Sequence, residues 1–245
     1  MKKIVLILIV GVSMVAGVVS ADTQKSGYIT TRDGTQIHYV RSGSGTPLIL
    51  LHGNGQSTNY FKAQMGLTGF ETIAVDSRNH GKSGNSKKLT FEIMARDLLD
   101  LLDALHLKKA DILGFSDGAN QAMVFAKNYP ERVDKLILNA GNLTLSDLHF
   151  SAQLTSVLQN FVSYTPVSRL LLKKVDVSKH DLEKFKMPVL VVVGENDMIK
   201  RSASKRIAKY SHAEFIEIPG GTHKVSQQQP KVFNRIITEF LNQSS

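Results

Sequence analysis

Short apolar, β-branched runs recur along the chain, and between them apolar positions return every three or four residues. The runs lie at Leu48–Leu51, Thr72–Val75, Asp111–Phe115, Leu136–Asn139, Val189–Val193 and Glu214–Ile218. Several are apolar without alternation, as in Val189-Leu190-Val191-Val192-Val193. That is the pattern of strands buried on both faces of a parallel sheet. Two earlier runs, Tyr28–Thr31 and Gln36–Arg41, are separated by Asp33-Gly34, a hairpin signal.

Helical periods fill the intervals. Thr90 can cap a helix whose stripe includes Met94, Leu98, Leu101, Leu102 and Leu105. A second helix starts at Gly118, carries Met123, Val124 and Ala126, and is stopped by Pro130. A third covers Val232–Leu241 with Ile236, Ile237 and Phe240. A hairpin followed by alternating strand and helix predicts an α/β fold with a mostly parallel sheet flanked by helices. The alternation fails between Leu143 and Met187, where no strand pattern occurs. Leu154, Val157, Leu158 and Phe161 lie there at helical spacing. A small helical insertion over about residues 142–187 is predicted, with that stripe packed inside it.

The first 21 residues stand apart. Lys2 and Lys3 precede an apolar run from Ile4 to Val19, and Val19-Ser20-Ala21 has the small-residue pattern of a signal-peptidase site. Cleavage is expected after Ala21, leaving residues 22–245 as one exported domain. The competing reading is an uncleaved anchor that holds the same domain outside, since the run is long for a signal peptide.

Composition narrows the chemistry. There is no cysteine, which excludes disulfides, thiol catalysis and thiolate metal sites. The formal charge of +9 falls to +7 without Lys2 and Lys3. The cations are scattered, as in Lys87-Lys88, Lys108-Lys109 and Lys173-Lys174, with no aromatic residues interleaved. Nucleic acid is therefore not an expected partner. Solubility, and attraction to a membrane or an anionic cell envelope, are.

Gly114-Phe115-Ser116-Asp117-Gly118 follows one strand and opens a helix. A G-x-S-x-G sequence in that setting lifts the serine hydroxyl above the sheet on a sharp turn that glycines permit. A serine hydroxyl needs a base to become a nucleophile. His223, in Gly220-Gly221-Thr222-His223, lies just past the last strand, where open α/β sheets place their sites. An acid must orient that imidazole. Asp197 follows Val189–Val193 and is preferred to Glu195, two residues earlier. The chain order Ser, Asp, His suits this architecture. The oxyanion donors are expected to be the backbone N–H groups of Asp117 and Asn54, the latter in His52-Gly53-Asn54-Gly55. No zinc-ligand spacing occurs among the eight histidines, so no metal is expected.

These motifs together resemble the α/β-hydrolase superfamily over residues 28–242. Further support comes from Asp76-Ser77-Arg78-Asn79-His80-Gly81-Lys82-Ser83 and Asn128-Tyr129-Pro130-Glu131-Arg132-Val133. The resemblance implies an eight-stranded sheet with the hairpin first, a cap inserted after the sixth strand, and no cofactor. It implies structural roles for His52 and His80. The turn usually reads Arg-Gly. Here it reads Arg78-Asn79, and asparagine tolerates positive φ. The expected reaction is hydrolysis of a carboxylic ester, or of a thioester or lactone, through an acyl-enzyme on Ser116. The substrate is expected to be a small, apolar molecule, with Phe150, Leu154, Leu158 and Tyr164 of the cap lining its pocket. Alternatives are carbon–carbon hydrolysis, peracid formation or aminopeptidase action at the same triad, and a non-enzymatic surface ligand-binding protein.

Overall fold

The computed structural model describes residues 24–243. The N-terminal segment read above as an export signal lies outside them. Eight strands form one sheet: β1 (Lys25–Thr30), β2 (Gln36–Gly43), β3 (Thr46–Leu51), β4 (Phe70–Val75), β5 (Ala110–Phe115), β6 (Val133–Asn139), β7 (Val189–Asn196) and β8 (Glu214–Thr222). Their order is β1-β2-β4-β3-β5-β6-β7-β8. β2 runs antiparallel to both β1 and β4, and every other pair is parallel. This is the eight-stranded α/β-hydrolase sheet that the resemblance implied.

The unbroken apolar runs reflect burial from both sides. In β3, Ile49 and Leu51 face a core shared with Leu101 and Met123, while Leu48 and Leu50 face one shared with Phe233 and Ile237. The first core is roofed by α1 (Phe91–Ala104) and α2 (Asp117–Asn128), the second by a C-terminal helix (Pro230–Leu241). A strand covered by helices on both faces needs no polar alternation. Thr90 caps α1, its Oγ1 accepting from the Ile93 N–H at 3.2 Å.

The turn after β4 is pinned by buried charge. Asp76 accepts from the Thr58 N–H (2.6 Å), the Lys82 N–H (2.9 Å) and His38 Nδ1 (2.8 Å). Burial pushes this carboxyl up, but the three donors outweigh burial and hold it below the ordinary aspartate range. Arg78 reaches Asp97 through Nε (2.8 Å) and Nη2 (2.5 Å), and Asp33 through Nη1 (2.7 Å). Asn79 sits at φ 65° and closes this turn, in the left-handed region asparagine tolerates.

Between β6 and β7 the chain leaves the sheet and forms α3 (Phe150–Ser163), α4 (Pro166–Leu170) and α5 (Lys179–Glu183). α6 (Arg201–Tyr210) then joins β7 to β8, and a single turn, α7 (Val225–Gln228), precedes α8 (Pro230–Leu241). The apolar stripe on α3 departs from expectation. Leu154, Val157, Leu158 and Phe161 are exposed, with Phe161 at 82%. The packed face instead carries Ala152 and Ser156. Helical periodicity tells which side chains share a face, not which face is covered, and the small residues here allow the close approach.

Candidate active site

Ser116 joins β5 to α2 at φ 53° and ψ −118°, a backbone conformation costly for any side chain. Two glycines make the turn possible. A Cβ on Gly118 would sit inside the van der Waals envelope of the Leu51 carbonyl, and one on Gly114 inside that of the Gly118 carbonyl. The Ser116 N–H donates to Asn139 O at 2.9 Å, which anchors the turn to the end of β6.

Ser116 Oγ lies 3.1 Å from His223 Nε2, and His223 Nδ1 lies 2.7 Å from Asp197 Oδ1. The same Asp197 oxygen accepts from the Ile199 N–H at 2.9 Å, so the carboxylate is fixed before the imidazole meets it. With Nδ1–H donating to Asp197, Nε2 is free to accept from the serine hydroxyl. The imidazole packs on Phe115 (centroids 4.9 Å apart), and Phe115 stacks on Tyr60 at 4.3 Å. Glu195 is elsewhere, accepting from the Gly220 N–H at 2.8 Å.

The loop after β3 runs alongside. His52 is buried, its Nδ1–H donating to Gly53 O at 2.8 Å and its Nε2 accepting from the Ser77 N–H at 3.1 Å. Burial, then the neighbouring His80, pushes its pKa down to about 4, so it is neutral and keeps the acceptor that the Ser77 bond requires. Among the described residues, the backbone N–H groups of Asn54 and Asp117 donate to no acceptor. The Asn54 side chain clamps the two loops together. Its Nδ2 donates to Asp117 Oδ2 and to Val167 O of α4, both at 2.8 Å. Asp117 is buried, and loss of hydration raises its pKa to about 6 against the pull of Asn54.

A cavity of about 420 Å³ opens at Ser116 and His223. Its roof is the inner face of α3, where Ala152, Thr155, Ser156 and Gln159 recur at i, i+3, i+4 and i+7. Leu171, Met198 and Lys224 complete the walls. Phe150, Leu154, Leu158 and Tyr164, expected at this pocket, do not line it and point into solvent on the opposite face of the cap. The roofing residues were legible as the second face of the same helix, half a turn away from the apolar stripe. Among the described residues, no cluster of His, Asp and Glu has the makings of a metal site.

A family model for the alpha/beta hydrolase fold matches residues 46–173. The chain belongs to the α/β-hydrolase family. Human serine hydrolase BPHL is 26% identical over 245 residues, spanning 85% of this chain and 84% of that protein. The sn-1-specific diacylglycerol lipase ABHD11 of Danio rerio is 35% identical over 156 residues, which span 61% of this chain and 46% of that one. A solved meta-cleavage product hydrolase of Pseudomonas fluorescens shares the fold with a TM-score of 0.76 at 20% identity, over 88% of this chain and 97% of that one. This α/β-hydrolase is an enzyme of the hydrolase class.

Proposed function

We propose that the enzyme hydrolyses carboxylic esters of small molecules, with Ser116 as nucleophile. The observation that carries this reading is the continuous line from Ser116 Oγ through His223 to Asp197, ending in a cavity beside two unused N–H groups. Ser116 Oγ attacks the carbonyl carbon as His223 Nε2 takes its proton, and Asp197 steadies the imidazolium that forms. Negative charge gathers on the carbonyl oxygen, where the N–H groups of Asn54 and Asp117 are the available donors. One such donor contributes about 3–4 kcal/mol to the transition state. Collapse expels the alcohol, protonated by His223, and leaves an acyl group on Ser116. His223 then removes a proton from water, which attacks the acyl carbonyl and frees the acid.

The cavity favours small, neutral esters. Its volume is at the lower end of the range for small-molecule sites. Lys224 is the one residue of fixed charge lining it, and the α3 roof is short and polar. That combination fits a dicarboxylate poorly, so ester cleavage is preferred to the carbon–carbon chemistry of relatives such as the 2-hydroxy-6-oxononadienedioate hydrolase of Burkholderia vietnamiensis. The site of action follows from residues 1–21, read as an export signal. N-terminal sequencing of the mature protein should return Asp22.

The test is turnover of p-nitrophenyl esters, from acetate to long chains, beside a Ser116→Ala control. Turnover that vanishes in the control and peaks at short acyl chains supports the proposal. No turnover, or turnover unchanged by Ser116→Ala, overturns it.

A further inference from the structure

The outer face of α3 has no partner within the described residues. Phe150, Leu154, Val157, Leu158, Phe161 and Val162 form an exposed apolar ridge along its length, continued by Tyr164 at 70% exposure. Single exposed apolar side chains are ordinary. A contiguous ridge of this size marks a surface that something covers. At 14 residues the helix is about 21 Å long, too short to cross a bilayer but suited to lying in its interface.

Charge around the ridge has one sign. No Asp or Glu occurs between Asp147 and Asp176, a stretch that holds Arg169, Lys173 and Lys174. The two bounding acids are already engaged, Asp147 by Arg206 (2.5 Å) and Asp176 by Lys127 (2.9 Å). Lys87 and Lys88 line grooves against α4, adding two exposed cations beside the cap. The Arg169 guanidinium lies 5.2 Å from the Tyr164 ring, joining the basic rim to the end of the apolar ridge.

We propose that the outer face of α3, with this basic rim, docks on an anionic lipid bilayer. Aromatic and aliphatic side chains enter the acyl boundary while the cations meet anionic headgroups. The charge decides between occupants. A second copy packed on the same face would bring two sets of cations together, whereas an anionic surface neutralises them. Docking also sets the catalytic cavity next to the membrane, because the inner face of the same helix is its roof. The proposal stands without the ester assignment, since binding requires no turnover.

The absence of cysteine allows a site-specific test on the full chain. Phe161→Cys on the ridge and Lys231→Cys on α8, outside the cap, are each labelled with an environment-sensitive fluorophore. Vesicles of phosphatidylcholine, with and without phosphatidylglycerol, are then added. The expected result is a blue shift at position 161 and none at 231, only with phosphatidylglycerol, weakening as salt is raised. A Phe161→Glu/Val162→Glu chain labelled through Leu154→Cys should need at least about tenfold more anionic lipid for the same signal than Leu154→Cys alone. Its turnover of p-nitrophenyl acetate in solution should equal that of the unaltered chain, which separates lost docking from misfolding. An unchanged spectrum at 161, equal shifts at 161 and 231, or equal binding to neutral vesicles overturns the proposal. So does a shift at 161 that grows with protein concentration in the absence of lipid, which identifies a second copy as the occupant.

Discussion

Replacing Asp117 by asparagine isolates one buried charge. The substitution keeps the shape, an oxygen to accept from Asn54 Nδ2 and the backbone N–H; it gives up the long 3.4 Å bond from Asn120 Nδ2, a loss that does not vary with pH. What it removes is a titration. The carboxyl titrates at about 6 in the folded protein against an ordinary value of 3.8, because burial disfavours its charged form. Between those two pH values the folded state holds a proton that the unfolded state has lost. Stability therefore falls as pH rises through the window, and the loss is complete above the folded value. A shift of roughly two units corresponds to about 3 kcal/mol. Urea unfolding of both proteins at intervals from pH 4 to pH 8 should show Asp117→Asn gaining on the unaltered chain by most of that amount. The gain should accrue between pH 4 and pH 6.5 and then level off. A difference that stays flat across the range, or shrinks with rising pH, would refute the claim that this carboxyl is buried at a cost.

Two further substitutions probe the turn and the triad. Gly118→Ala should destabilise the fold by about 1–3 kcal/mol, because the added methyl meets the Leu51 carbonyl and neither backbone can yield. Helix propensity alone predicts a gain of about 1 kcal/mol, so the sign of the change in urea midpoint decides. Asp197→Asn should lower kcat on p-nitrophenyl esters by about 10³–10⁴ with KM little changed, since a neutral amide no longer offsets the charge on the His223 imidazolium and can turn its N–H to the ring, favouring the wrong tautomer. A loss under tenfold would remove Asp197 from that role.

The sheet was legible because its physics is local. A strand covered on both faces must be apolar throughout, and the run Val189–Val193 carries that requirement in five consecutive letters. Ser116 and Asp197 were legible for a related reason, since each follows closely on such a run, and His223 because it lies just past the last strand. What escaped were contacts between residues far apart in sequence. His38 has no partner within its own strand and finds Asp76 just past β4, the strand paired beside it. Asp117 was read for its backbone alone, yet its side chain ties Asn54, and through it α4, to the nucleophile turn. The cap was misread in one respect. Its apolar stripe was placed inside, as in a helix of a globular core, while the small polar face of α3 covers the cavity.

The position of the insertion bears on how this enzyme can change over generations. The cap occupies residues 140–188, and the strands at its two ends are hydrogen-bonded neighbours, with Asn139 paired to Val192. Because the pair is parallel, the connection leaves at the C-terminal end of β6 and returns at the N-terminal start of β7, a crossover whose two ends the ladder holds fixed. Doubling the length of a connection with fixed ends adds only about 0.6 kcal/mol of closure entropy. Drift in the length or composition of the cap need not disturb the strand ends that hold Ser116, Asp197 and His223. Selection can reshape the roof, and with it the choice of substrate and surface, while the bond-breaking machinery is inherited intact.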